Sequence, residues 1–133
     1  MTSDELEALK ANMAEYVELA LINKEARKHA TERMSIFLKP RSDLADITLN
    51  LELELADLNS LKDPTFAKAM ANSTATNAEK QKAEAKGHPN YLDAERQIAQ
   101  NEAILNYIKA HQAILNDATI NYRKLAEEKN GAF

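Results

Sequence analysis

The chain has 133 residues, a net charge of −4, 44% hydrophobic and 29% charged residues, and neither cysteine nor tryptophan. That length allows at most one ordinary domain, the composition is globular rather than disordered, and disulfides and thiolate metal sites are excluded. No run approaches the ~18 apolar residues of a membrane span, and MTSDELEALK sets acids where a secretory leader has a basic start. A soluble, cytoplasmic protein is expected.

The first helix is predicted over about 4–38. Thr2-x-x-Glu5 has the spacing of a capping box. Leu6, Leu9, Met13, Tyr16, Ala20, Met34 and Phe37 recur at alternating intervals of three and four. The same frame sets Asn23 and Arg27 in mid-seam, where polar residues fix register at some cost in stability. Pro40 is expected to end this helix, because the residue before a proline avoids helical angles. Ser42 caps a second helix over about 43–62. Its centre, LNLELELADL, alternates like a strand. Leu44, Ile47, Leu51, Leu55 and Leu58 nevertheless form one helical stripe, and no second strand-like segment exists to pair with it. Leu49 and Leu53 fall off that stripe, and a helix apolar on more than one side needs more than one neighbour.

Asp63-Pro64 reads as a cap and a first helical residue, opening a helix over about 64–72 with Phe66 and Met70. Thr76-x-x-Glu79 opens a polar helix over about 77–86, within a connector at about 71–89 that is expected to be mobile. Gly87 suits a left-handed helix end, Pro89 blocks continuation, and Asn90 caps the last helix. That helix is predicted over about 91–129. Its seam includes Tyr91, Ala94, Ile98, Leu105, Ile108, Leu115 and Tyr122, interrupted by Asn101, Gln112 and Thr119. The expected fold is all-α: a single domain over 1–133, built as a long-helix hairpin or bundle with coiled-coil-like seams. Alanine supplies much of the apolar content, so bulk to cover the last helix is scarce. A homo-oligomer joined through Ile98, Asn101, Leu105, Ile108, Gln112, Leu115 and Tyr122 is therefore expected.

Chemistry is sparse. His29, His88 and His111 form no Glu-x-x-His or His-x-x-x-His pair, and two glycines cannot build a phosphate-cradling loop. Glu25 and His29 share a helical face, as a surface contact. His111 lies within the apolar stripe, as a hydrogen-bonded core or interface residue. No catalytic residue, metal site or cofactor is predicted, and an enzyme is not expected.

Charge is more informative. Residues 1–23 and 42–63 are acidic, whereas Lys24, Arg27, Lys28, Arg33, Lys39 and Arg41 make a basic band between them. Such a band suits phosphate contacts, and Lys68, Lys80, Lys82 and Lys86 are candidates to extend it. Aromatic platforms for stacking bases are few, with only Phe37 and Phe66 nearby.

Residues 90–125, NYLDAERQIAQNEAILNYIKAHQAILNDATINYRKL, open on aromatic-Leu-x-Ala-Glu and run through a Leu-x-Tyr step toward an arginine. This segment resembles the C-terminal part of the T-even-type phage recombination mediators, the UvsY family. The resemblance implies an oligomeric accessory protein that binds single-stranded DNA and helps load a recombinase in place of a single-strand-binding protein. The family's basic DNA-contacting stretch precedes the connector. Here that region is NLELELADLNSLKDP, which is acidic, so no family contact residue is carried over and the basic band rests on charge alone. The alternative expectation is a non-enzymatic helical protein-binding module, such as a phage inhibitor of a host nucleic-acid-binding protein or an assembly scaffold. Its acidic faces over 4–18 and 43–57 would meet a basic protein partner.

Overall fold

The computed structural model describes residues 1–22 and 24–129. The described residues are about 90% helical and contain no strand, so the chain is all-α. Six helices run in order: α1 Ser3–Ala20, α2 Lys24–Lys28, α3 Ala30–Ile36, α4 Leu38–Ala71, α5 Ala78–Gly87 and α6 Pro89–Lys129. The alternating stretch LNLELELADL lies wholly inside α4. Its leucines obey the helical stripe, with Leu44 and Leu51 buried and Leu55 and Leu58 half-buried.

Where the sequence predicts one helix over 4–38, the structure has three. Thr2 caps α1 as its spacing predicts, its Oγ1 accepting the Glu5 N–H at 3.1 Å. The helix then stops at Leu21, whose backbone is extended (φ −66°, ψ 130°). The carbonyls freed at this end are taken up from elsewhere in the chain. The Tyr122 hydroxyl lies 2.8 Å from the Leu19 oxygen and 2.9 Å from the Leu21 oxygen, and Arg33 Nη1 donates to Leu19 at 3.3 Å. A tertiary contact has thus replaced a local helical one. Arg27, expected in mid-seam, is exposed, and its α2 neighbour Ala26 is buried instead. Asn23 lies outside the described residues.

Neither central proline ends a helix. Pro40 is buried in the first turn of α4, where an N–H would have no intrahelical acceptor, so its missing donor costs little. Pro64 lies within α4 rather than opening a new helix. There it removes the donor to the Ser60 carbonyl, and Ser60 and Pro64 are both exposed, so water can serve that carbonyl.

The connector expected over 71–89 holds α5 and is laced to it. The Ser73 hydroxyl donates to the Glu84 carboxylate, and Gln81 Nε2 donates to the Ala75 carbonyl at 3.2 Å. Asn77, not Thr76, caps α5, accepting the Lys80 N–H at 2.9 Å. Gly87 ends α5 without a left-handed conformation. The break belongs to His88, which is extended (φ −67°, ψ 135°) and whose Nδ1 accepts the Asn90 N–H at 3.2 Å. His88 therefore takes the capping role expected of Asn90, and Pro89 is the first residue of α6.

The single domain expected from sequence divides into two compact units: Met1–Thr48 with 107–129, and Leu49–Asn106. In the first, Phe37 and Tyr122 stack at 5.7 Å between ring centroids, and both are fully buried with Leu44, Ile108 and Leu115. In the second, Phe66 meets Tyr91 at 5.4 Å, and the Lys62 ammonium lies 5.8 Å over the Tyr91 ring and 3.5 Å from Glu95. Ile98, Asn101, Leu105, Ile108, Leu115 and Tyr122 are all buried within the one chain, and Gln112 is half-buried. Covering that face requires no second copy, which removes the scarcity of bulk as a reason for assembly.

Candidate nucleic-acid interface

The basic band is spread over three helices, α2, α3 and the start of α4. Lys24, Arg27 and Lys28 sit on α2, all exposed, directly after the break that ends α1. Leu21 and Ile22, the two apolar residues at the break, are exposed and precede these cations in the chain. Glu25 and His29 share this corner through a hydrogen-bond contact, Nε2 to Oε1 at 3.0 Å, with a Glu32 oxygen 4.0 Å from the other ring nitrogen.

Arg33, Lys39 and Arg41, the rest of the band, lie beyond α2 and have separate tasks. Arg33 holds the Leu19 carbonyl and so places positive charge at the C-terminal end of α1, where the helix dipole favours it. Lys39 pairs with Asp43 at 3.0 Å, and that carboxylate holds its ammonium above the ordinary value of 10.5. Arg41 Nη2 donates to Asn116 Oδ1 at 3.2 Å, at the edge of a shallow groove of about 480 Å³ with Leu38, Ser42, Ala45 and Gln112. Lys68, Lys80, Lys82 and Lys86 belong to the second unit, Lys82 and the rest lying on α4 and α5.

Aromatic stacking is not offered to a ligand by the two rings named from sequence. Phe37 is fully buried against Tyr122, and Phe66 is half-buried against Tyr91. What the α2 corner offers is exposed positive charge.

A second surface lies on α4 within the second unit. Leu49 and Leu53 are 56% and 58% exposed, whereas Leu51 between them is 3% exposed. Two residues along a helix is roughly 200°, so the buried stripe and this pair occupy opposite sides. Glu52 and Asp57, both exposed, flank the leucines. The sequence singles out Leu49 and Leu53 by their register. It gives no signal for the exposure of Leu21 and Ile22, because that depends on the end of α1.

Among the described residues, no group of three or more His, Asp or Glu side chains is placed to hold a metal ion, and no helix is long and apolar enough to cross a membrane. Comparison with models of known protein families, with curated proteins and with solved structures found no match.

Proposed function

We propose that the protein is a non-enzymatic helical accessory factor that engages single-stranded DNA through the α2 corner, in the manner of a recombination mediator that assists recombinase loading. The observation carrying this reading is the exposure of Lys24, Arg27 and Lys28 on one five-residue helix. Three cations with few aromatic partners suit backbone phosphates and give sequence-independent binding. The resemblance of 90–125 to the mediator family supports the same reading. A mobility shift with a single-stranded oligonucleotide at ~50 mM and ~200 mM salt tests it. Binding that is lost at the higher salt is the expected result.

A second reading is a helical protein-binding module. It is favoured by the outward Leu49–Leu53 face of α4, whose flanking Glu52 and Asp57 suit an apolar surface edged with lysine or arginine. Loss of a partner upon Leu49→Gln with Leu53→Gln, while single-strand binding persists, separates this reading from the first.

A further inference from the structure

We infer that the occupant of the Leu49–Leu53 face is the α2 corner of a second copy of this chain. This rests on the protein-binding reading and names the partner. The two surfaces complement one another in both apolarity and charge. Leu49 and Leu53 are four residues apart and form an exposed apolar pair on α4. Helical spacing places Glu52 on one side of that pair and Asp57 on the other. The corner carries its own exposed apolar pair, Leu21 at 54% and Ile22 at 41%, and two cations at helical spacing, Lys24 and Arg27.

The two surfaces carry charges of opposite sign beside their apolar pairs, and each is solvent-facing within its own chain. A second copy brings leucine against leucine and lysine or arginine against the acids, removing apolar area from water on both sides. The contact is heterologous, joining different patches, so its geometry governs whether it closes into a ring or dimer or continues to further copies. It also shares cations with the proposed DNA contact. Self-docking and single-strand binding therefore compete for one corner.

Sedimentation equilibrium at 10–100 µM and ~50 mM salt tests the inference. Wild type should exceed the monomer mass of 14.9 kDa, and a saturating single-stranded oligonucleotide should dissociate the self-contact. Glu52→Lys with Asp57→Lys, and separately Lys24→Glu with Arg27→Glu, should each give a monomer with unchanged helical circular dichroism. An equimolar mixture of these two variants should associate again, because one retains a competent corner and the other a competent face. Leu49→Gln with Leu53→Gln serves if a charge variant loses helicity, and it too should be monomeric. A wild type that stays at 14.9 kDa throughout overturns self-docking, as does a mixture that fails to associate. An oligonucleotide shift on the same wild-type sample reads the DNA proposal separately.

Discussion

Tyr122 donates its hydroxyl hydrogen to the Leu19 carbonyl at 2.8 Å, joining α6 to the end of α1 across 103 residues of sequence. The Leu21 carbonyl stands at nearly the same distance, so one proton serves two acceptors at the helix end. The ring beneath that hydroxyl is fully buried and stacked on Phe37. Tyr122→Phe keeps the stack and removes only the hydroxyl. It should destabilise the fold by about 1–2 kcal/mol in chemical denaturation, the range for leaving a partly buried acceptor unpaired. Tyr122→Ala should cost about 3–5 kcal/mol. Equal losses for the two variants would show that the ring packing contributes nothing beyond the hydroxyl.

Arg33 and Arg27 belong to the same basic band and should behave differently. Arg33→Ala removes a donor from the Leu19 carbonyl and a charge from the end of α1, so thermal stability should fall by roughly 1 kcal/mol. Arg27→Ala, on an exposed helical position, should stay within about 0.5 kcal/mol of wild type. Calorimetry on the two variants decides whether α2 and α3 divide into contact and anchor.

Asn101 is buried, at 8% exposure, and its Nδ2 has no hydrogen-bond partner. An unpaired amide of that kind costs about 1–3 kcal/mol relative to an apolar side chain of similar shape. Asn101→Leu should therefore raise stability by about 1–2 kcal/mol, measured as an upward shift in Tm. Gln112 reaches the Thr48 hydroxyl at 3.5 Å, a long contact, so Gln112→Leu should change stability less. A lower Tm for Asn101→Leu would place a compensating partner on that amide.

Most of the all-α reading was legible from period and composition. The three-and-four spacing of Leu44, Ile47, Leu51, Leu55 and Leu58 outweighs the local alternation of LNLELELADL, and the apolar positions named on α6 are nearly all buried. The helix breaks were less legible, because their causes are not local. Leu21 is extended where Tyr122 and Arg33, distant in sequence, supply hydrogen bonds to the end of α1. Pro40 and Pro64 carry a strong local signal for termination. Yet one falls in a first turn that needs no donor, and the other is exposed where water can reach the freed carbonyl. The basic band was visible as a charge count. Its division between the α2 corner and the separate contacts of Arg33, Lys39 and Arg41 depends on where α1 ends and on side chains that meet only in the fold.

Tyr91 gives an alkaline signature. The Glu95 carboxylate accepts its hydroxyl hydrogen and, with burial, holds the phenol above its ordinary value of 10.0. A raised folded value means that the folded chain keeps its proton where the unfolded chain has lost it. Stability from this contact is therefore complete below pH 10.0 and declines as pH rises through the higher folded value. The difference between the phenolate absorbance titrations of wild type and Tyr91→Phe should place the Tyr91 step above 10.0. Glu95→Gln should bring that step to lower pH.

The salt dependence of single-strand binding tests the central proposal most directly. Each phosphate neutralised contributes a log–log slope of about −0.7, so Lys24, Arg27 and Lys28 predict roughly −2 per bound chain. Replacing the three with alanine should weaken binding to all sequences alike and bring the slope close to zero. Arg33 is left intact in that variant so that the end of α1 keeps its anchor. Binding that persists in the triple variant with an unchanged slope would contradict the account, as would a wild type that fails to bind at ~50 mM salt.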